Sequence, residues 1–419
     1  MAAARWPQNY GVIPRARRYD FSAIFPSAVT VVNCAVAYDA AVRKGASSTS
    51  LKITPSVGGG TAVVSKNITA VMPLTLKEGL ARFRLYWPGK SGNHSIQLTI
   101  SAGTDGTNAA RYAYNSNILR EGWNYLWLPL NNRDPTHKPS GYTTSASGTG
   151  YDYTAVANFL GITITPSGSF TADDVLWLDT IDVGSKCRPK IILGFDDITA
   201  SVVDHALPVI DGYGWTAYVA LSNLYTTPTV IDSVIPLKAA GWHALNHSYD
   251  HVSYETLGAA AAAEDYLRNR QWLAEQGFFD GQPAVTRDFL AYAENATSAS
   301  VASALAAAGC VSARESRNAF NLTDEFGLDN PLRMGSLSMG SATSLAYATG
   351  IVNSLIIQGG SLFLYGHSLV VAGPSSTQWT ISDFTDLMAH IRGLEQLGLV
   401  DVVSWADWHT GLTQPALVA

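Results

Sequence analysis

The chain changes its pattern of apolar residues at Cys187-Arg188-Pro189, and this change limits its fold more than any other feature. Residues 20–186 are rich in Ser, Thr, Gly and Asn and carry short runs in which apolar and polar residues alternate. After residue 187, short apolar runs follow one another with helical segments between them. Alternating runs indicate strands with one face in water, whereas continuous runs indicate strands buried on both faces. The sequence therefore predicts two domains, at residues 1–187 and 188–419.

The first region is typical of an all-β sandwich of the jelly-roll type. Alternation is clearest at residues 51–54, 81–86, 95–100 and 124–128. Many short strands bounded by Gly, Pro and Asn favour a sandwich, and no helical periodicity interrupts them. We expect residues 131–153 to form a long polar loop.

The second region alternates buried strands with helices. The apolar runs at residues 190–195 and 361–365 are short, as expected for strands buried on both faces. The predicted helices are Tyr254–Gln276, Ser298–Ala308 and Ser382–Leu397. Gly277 and Gly309 follow the first two, and Ser382 is the expected N-cap of the third. This alternation predicts an α/β domain, either a (β/α) barrel or a distorted form of one.

Composition excludes several classes of protein. The chain has 419 residues, with 27 basic and 33 acidic side chains that give a net charge of −6, so no basic excess is available for a nucleic-acid partner. The three cysteines lie far apart and are expected to be free thiols (Cys34, Cys187 and Cys310). No apolar run is long enough for a signal peptide or a membrane span.

Two histidines stand at a spacing that suits metal binding. In His247-Ser-Tyr-Asp-His251 the imidazoles lie at i and i+4, which on a helical turn places both on one face. The same spacing also arises by chance, so the pair alone leaves both interpretations open.

Two further strand ends carry polar side chains. Asp196-Asp197 follows the buried run at 190–195, and His367 follows the run at 361–365. A surface turn would explain the first, and a structural histidine the second. Taken with His247 and His251, however, they supply a carboxylate and two imidazoles for a metal, one carboxylate to accept a proton and one imidazole to donate one. This set is the equipment for metal-assisted hydrolysis.

These motifs resemble those of a known family. Ile-Leu-Gly-Phe-Asp196-Asp197, His247-Ser-Tyr-Asp-His251 and Leu-Phe-Leu-Tyr-Gly-His367 are similar to the first, second and fifth motifs of the polysaccharide deacetylases, carbohydrate esterase family 4, over about residues 188–415. The resemblance implies a distorted (β/α) barrel that removes acetyl groups from sugars.

The resemblance also implies a role for each motif residue. Asp197, His247 and His251 would bind a divalent metal, Zn²⁺ in the first place, with Co²⁺ or Ni²⁺ as substitutes. Asp196 would be the general base and His367 the general acid that protonates the departing amine.

The third motif departs from the family pattern. The segment Phe-Leu-Ala-Tyr292-Ala-Glu294-Asn lacks the arginine that normally steadies the catalytic aspartate. Arg333, in Pro-Leu-Arg, is the predicted replacement, and Arg287 is its rival. The backbone N–H near Glu294 is the expected oxyanion donor, and Tyr292 and Tyr365 are further candidates for substrate contact. His367-Ser also replaces the usual His-Asp, so what tunes the His367 pKa is left open.

Several alternatives concern the partner and setting of the protein. Removal of O-acetyl groups would use the same site as removal of N-acetyl groups. The first region resembles modules that precede deacetylase domains in bacterial and phage proteins, with Trp87 or Trp123 as sugar platforms if they are not core residues. A virion tail component that modifies a host capsule would be trimeric. We therefore expect an extracellular or virion-associated protein with an acetylated polysaccharide as substrate, although a cytoplasmic location is also compatible with the sequence.

Overall fold

The computed structural model divides the chain near residue 187 into two compact units. It describes the following residues: 17–20, 29–43, 49–68, 74–75, 80–88, 94–101, 109–114, 122–129, 142–146, 156–183, 188–295, 297–315, 331–358 and 360–413.

The first unit consists of antiparallel sheets. Its strands are β1 (Arg17–Asp20), β2 (Thr30–Val32), β3 (Cys34–Asp39), β4 (Ser50–Pro55), β5 (Ala62–Asn67), β6 (Leu74–Thr75), β7 (Leu80–Trp87), β8 (Ser95–Ser101), β9 (Ala109–Tyr114), β10 (Gly122–Pro129), β11 (Tyr142–Ala146), β12 (Val156–Ala157), β13 (Phe159–Thr165) and β14 (Leu176–Val183). One six-stranded sheet has the order β10-β7-β14-β4-β3, with β1 beside β14. The other has the order β11-β9-β8-β13-β5-β2, and β6 pairs with β12.

The alternation in the sequence explains these strands. In β4 the side chains of Leu51 and Ile53 are buried, whereas Lys52 and Thr54, which alternate with them, are partly exposed. All four predicted strands are present. The expected loop at residues 131–153 is wrong in part, because β11 lies within it; its β-branched and aromatic residues favour a strand. The remainder of that segment lies outside the described residues.

The second unit is built on a parallel sheet. Its strands are β15 (Lys190–Asp196), β16 (Ala217–Leu221), β17 (His243–Asn246), β18 (Phe289–Ala291), β19 (Ser312–Arg314), β20 (Leu337–Ser338), β21 (Ser361–Gly366), β22 (Ser368–Val370), β23 (Gln378–Thr380) and β24 (Asp401–Val402). The sheet has the order β19-β18-β17-β16-β15-β21-β20, with β24 beside β15. Residues 331–334 form backbone hydrogen bonds with 313–315, and β20 pairs with β21, so the segment 331–338 links the two ends of the sheet.

Helices connect these strands. They are α1 (Leu207–Gly212), preceded by a π-helical turn at Val202–Ala206, α2 (Pro228–Ala239), α3 (Tyr254–Leu257), α4 (Ala259–Glu275), α5 (Ala299–Ala307), α6 (Leu345–Gln358), α7 (Ile381–Gln396) and α8 (Trp405–Thr413), with 3₁₀ turns at Ala284–Asp288 and Ala293–Asn295. The antiparallel sheets and this alternating parallel sheet confirm the predicted fold class.

Two details of the predicted helices are wrong. Gly258, at φ +83°, divides the helix expected at 254–276 into α3 and α4, because this left-handed conformation interrupts a helix. Helix α7 begins earlier than expected, and its N-cap is Thr380, whose hydroxyl accepts from the Asp383 N–H at 3.0 Å.

The last helix packs against the start of two strands. The indole N–H of Trp405 donates to the Ser312 hydroxyl at 2.9 Å, and that of Trp408 donates to the Ser361 hydroxyl at 2.7 Å. Ser312 and Ser361 are the first residues of β19 and β21, so α8 lies at the amino end of the sheet.

Two smaller expectations concern the thiols and the membrane. Cys34 and Cys310 are free, as expected, and Cys187 lies outside the described residues. Among the helices that the structure describes, none has the length and hydropathy needed to cross a membrane.

Candidate active site

The predicted site residues come together at the carboxyl end of the parallel sheet. A cleft of about 510 Å³ is lined by Asp196, Asp197, His247, His251, Glu294 and His367, among others. Each follows or ends a neighbouring strand, and the carboxyl ends of parallel strands meet at one edge of a sheet. The topology therefore assembles into one cleft groups that lie up to 171 residues apart in the chain.

Asp197, His247 and His251 form the candidate metal centre. One ligand atom from each lies within 4.8 Å of the other two. Asp197 Oδ2 lies 2.8 Å from His251 Nε2 and 3.6 Å from His247 Nε2. His247 Nδ1 lies 2.7 Å from the carbonyl oxygen of Ala291, which can only accept, so Nδ1 carries a proton and the neutral imidazole has its lone pair on Nε2. This tautomer suits a metal ligand.

The charges in this cluster stabilise one another. Burial raises the pKa of Asp197, but the charges and hydrogen bonds of His247 and His251 outweigh it and hold that pKa far below its usual range. Burial lowers the pKa of His247, but Asp196 and Asp197 outweigh it and the net pKa is raised. Both shifts favour the charged forms, so the cluster has strong electrostatic coupling.

The two histidines lie on a loop, and the expected helical turn is wrong. His247 follows the last residue of β17, and residues 247–253 form no helix. Ser248 has φ +71° and His251 has φ +51°, and neither value is compatible with a right-handed helix. The loop still brings the two imidazole centroids within 5.0 Å of each other.

A buried carboxylate on α4 holds this loop. Asp265 Oδ1 accepts from the Tyr249 N–H and from the Tyr254 hydroxyl, both at 2.8 Å. Its other oxygen, Oδ2, accepts from the Asp250 N–H at 3.1 Å. Two backbone N–H groups of this loop are therefore satisfied by one buried side chain.

The arginine that contacts Asp196 is Arg314, and the prediction of Arg333 is wrong. Arg314 Nη2 contacts both carboxylate oxygens of Asp196, and both side chains are buried. Arg333 instead donates from Nε to Glu315 at 3.1 Å. Arg287 is exposed on the 3₁₀ turn at Ala284–Asp288.

Side chains on the neighbouring strands position Arg314 for its contact with Asp196. Its Nε donates to the Tyr218 hydroxyl at 2.6 Å, and its guanidinium carbon lies 4.0 Å from the Tyr365 ring centroid. The Tyr218 ring crosses β15 at Gly194, where a Cβ would lie 2.0 Å from the ring. The sequence signal for this role is modest: an arginine that ends the short strand Ser-Ala-Arg.

His367 lies in the cleft without a partner for one of its ring nitrogens. Its Nδ1 is buried and has no hydrogen-bond partner among the described residues. Burial lowers the pKa of His367, although the charge of Asp196 opposes this shift. The imidazole therefore favours its neutral form more than an exposed histidine does.

The three predicted substrate contacts differ in exposure. Tyr292 is fully buried, and its hydroxyl donates to the Leu332 carbonyl at 2.8 Å. Tyr365 is also buried, beneath Arg314. Both residues line the cleft although they are almost fully buried, so their contact with substrate stays a prediction. Glu294 is exposed, and its Oε1 lies 3.9 Å from His251 Nδ1.

Backbone strain is concentrated in this cleft. Five residues other than glycine have positive φ in the part of the chain that the structure describes, and four of them lie in or beside the cleft: Asp197, Ser248, His251 and Glu294. Such conformations cost free energy and persist where the surrounding structure imposes them, often at active sites.

One tryptophan platform of the first unit is contradicted. Trp87 is buried, with its ring centroid 5.6 Å from that of His94, so it is a core residue. Trp123 is partly exposed, and its proposed contact with sugar stays a prediction.

Comparison with known proteins agrees with the motifs. Residues 184–310 match the family model described as polysaccharide deacetylase, which confirms the resemblance over that segment. No curated protein matches the chain.

Several solved structures are similar to the second unit. A family 4 carbohydrate esterase from Streptomyces lividans in complex with acetate is 19% identical, with 52% of this chain and 92% of that chain covered and a TM-score of 0.35. An acetyl xylan esterase from Clostridium thermocellum in complex with cobalt is 14% identical, with coverages of 54% and 95% and a TM-score of 0.34. The Xyl-CE4 domain of a multidomain xylanase from the hindgut metagenome of Trinervitermes trinervoides is 15% identical, with coverages of 54% and 93% and a TM-score of 0.37.

Proposed function

We propose that the protein is a metal-dependent deacetylase that removes acetyl groups, N-acetyl groups in the first place, from a bacterial surface or extracellular polysaccharide. The observation that carries this proposal is the cluster of Asp197, His247 and His251 in one cleft with Asp196 and His367. The family match over residues 184–310 supports it.

The three side chains fit a divalent cation. A carboxylate and two imidazoles are ligands that Zn²⁺ prefers, and three protein ligands leave positions open for substrate. Co²⁺ and Ni²⁺ suit the same donors. The Ala291 carbonyl fixes the tautomer of His247 that binds a metal. When bound, the cation would supply Lewis-acid polarisation of the acetyl carbonyl.

Asp196 is the proposed general base. Its carboxylate borders the cleft, and Arg314 holds that carboxylate in place. It takes a proton from the water that attacks the acetyl carbon. Burial of the ion pair favours a single orientation of the carboxylate.

His367 is the proposed general acid. Cleavage of an amide releases an amine, which leaves only when its nitrogen has been protonated. His367 lines the same cleft and supplies that proton as the C–N bond breaks. The products are acetate and a sugar with a free amine. The backbone N–H near Glu294 is proposed to stabilise the oxyanion.

Acetate release from acetylated polysaccharides, measured together with metal content, tests the proposal. We expect release that a chelator abolishes and Zn²⁺ restores. Parallel amide and ester substrates separate N-acetyl from O-acetyl specificity.

The variant Asp197→Ala should lose both the metal and at least about a hundredfold in rate, since it removes a ligand. Asp250→Ala is the matched control, because Asp250 lies in the His247–His251 loop but points to Arg268 at the surface, at 3.2 Å. Full activity and full metal content in Asp197→Ala would contradict the proposal.

A further inference from the structure

Among the tyrosines that line the described part of the cleft, one has an exposed ring that can meet a ligand. Of its three tyrosines, Tyr292 and Tyr365 are buried, with exposures of 0% and 2%, whereas Tyr225 is 50% exposed. The other lining groups named above are charged or polar. Tyr225 is therefore the main apolar surface that the described part of the cleft offers to a substrate.

Tyr225 lies against the candidate metal centre. Its ring centroid is 4.6 Å from that of His251, at an interplanar angle of 73°. A sugar ring placed on Tyr225 would thus lie within the width of one ring from the ligand cluster. Asp197 and His367 line the same cleft as Tyr225, so an acetyl group on that sugar or the next would enter the same cleft.

The loop that carries Tyr225 is tied to both ligand-bearing segments. The buried Ser222 hydroxyl donates to Asp197 Oδ1 at 3.3 Å and accepts from the Tyr225 N–H at 3.4 Å. The Leu224 N–H donates to the carbonyl of Tyr249, between the two histidines, at 3.2 Å. Further bonds fold the turn on itself: the Thr226 N–H donates to the Ser222 carbonyl, and the Thr227 N–H to that of Tyr225. The backbone turn that carries the exposed ring is thus preorganised, so binding needs little further ordering of that turn.

We propose that Tyr225 is the sugar platform of this site, and this inference rests on the proposed function. One face of a pyranose carries C–H groups that pack on an aromatic ring, while its hydroxyls pair with polar groups. The cleft offers both kinds of surface, since hydroxyls of Thr199, Ser338 and Ser368 line it with Tyr225. The phenol of Tyr225 combines an apolar ring with a polar tip, as a half-solvated sugar requires.

Kinetics and binding with sugar and non-sugar probes test the platform. In the full chain loaded with Zn²⁺, Tyr225→Ala should raise KM for the β-1,4-linked tetramer of N-acetylglucosamine and for acetylated xylotetraose by about tenfold, which corresponds to about 1.4 kcal/mol. The loss in kcat/KM for 4-nitrophenyl acetate, which has no sugar, should be smaller. Tyr225→Phe should restore KM, because the ring does the stacking.

Leu224→Ala is the matched control. Leu224 is 56% exposed on the same turn but does not line the cleft, so its variant should keep the KM of the wild type. An equal KM in Tyr225→Ala and the wild type would overturn the inference. So would loss of zinc from Tyr225→Ala with unchanged KM, because Tyr225 would then only support His251.

Calorimetric titration of the same two oligosaccharides separates this inference from the proposed function. If the wild type binds an oligosaccharide but releases no acetate, the proposed reaction fails, and about tenfold weaker binding by Tyr225→Ala would still support the platform. If neither oligosaccharide binds the wild type, the platform is wrong for these sugars and the inference fails with them.

Discussion

The two ends of the parallel sheet use buried polar groups in opposite ways, and strand β17 shows both. His243 is its first residue, and burial lowers the pKa of this histidine despite some opposition from Asp407. His247 follows its last residue, and Asp196 and Asp197 raise its pKa although it too is buried. Burial acts in the same direction on both imidazoles. The neighbouring carboxylates therefore decide at which end positive charge is favoured, whether on an imidazole or on a bound cation.

The same contrast extends to the other groups at each end. At the carboxyl end, buried charges are paired and the backbone is strained at Asp197, His251 and Glu294. At the amino end, Trp405 and Trp408 lie in an apolar cluster and use their N–H groups on serine hydroxyls. The amino end resembles an ordinary apolar core. The carboxyl end brings together buried charges and strained residues, which cost folding free energy, and this is typical of an active site.

The largest expected effect comes from breaking the buried pair at the carboxyl end. Arg314→Met leaves Asp196 as an uncompensated buried charge, which typically costs about 3–5 kcal/mol. We expect a loss of that size in the free energy of unfolding, measured by urea denaturation with a chelator present. Acetate release should also fall, because Asp196 loses the group that orients it.

Two variants make this prediction specific. Arg287→Met should stay within about 0.5 kcal/mol of the wild type, since Arg287 is exposed. The double variant with Asp196→Asn should recover part of the stability lost in Arg314→Met, because the unpaired charge is then gone. An Arg314→Met protein as stable as the wild type would show that the ion pair does not hold Asp196.

A smaller effect is expected from the carboxylate that shapes the histidine loop. Asp265→Asn replaces one acceptor oxygen by an NH₂ group that faces a backbone N–H, which costs about 1–3 kcal/mol. Because the loop carries His247 and His251, the Kd for Zn²⁺ should also rise. Titration calorimetry with Zn²⁺ and urea denaturation measure the two effects.

Glu264→Gln is the control for this change. Glu264 is the exposed neighbour of Asp265 on α4, so its variant should alter neither quantity. If Asp265→Asn lowers stability but leaves the Kd for Zn²⁺ unchanged, Asp265 supports the fold without preorganising the ligands.

The sequence predicts the ligand set better than the groups that support it. The sequence predicts Asp196, Asp197 and His367 because each stands where a short apolar run ends, which is a local signal. The role of Arg314 depends on which strand borders which, and on the Tyr218 ring crossing β15 at Gly194. Neither fact has a local signature, so the sequence does not single out Arg314.

The same limit explains the error in the histidine loop. The i, i+4 spacing of His247 and His251 fits a helical turn, and the segment between them contains neither glycine nor proline. The loop is imposed from outside, by the Asp265 carboxylate that satisfies its N–H groups. A tertiary contact thus overrides a local preference, although the two imidazoles remain close together in both conformations.

The smallest effect is expected at the amino end, in the pH dependence of stability. An unfolded histidine has a pKa of about 6.5, and burial gives His243 a lower one in the folded protein. As pH falls below about 6.5, the unfolded chain binds a proton that folded His243 does not, so this residue lowers stability over that range. His243→Gln removes that contribution. The free energy of unfolding should therefore fall less steeply with decreasing pH in the variant than in the wild type.

Substitution of Asp407 should change the pH dependence of stability in the opposite direction to His243→Gln. Its charge raises the pKa of His243, so Asp407→Asn should lower that pKa further and make the acid loss of stability steeper. Asparagine keeps an oxygen for the Ser404 hydroxyl, which donates to Asp407 Oδ2 at 2.7 Å, so the helix start is preserved. Urea denaturation at a series of pH values measures the three slopes. Equal slopes in all three proteins would show that the carboxylates near His247, and not burial at His243, account for the difference between the two ends of β17.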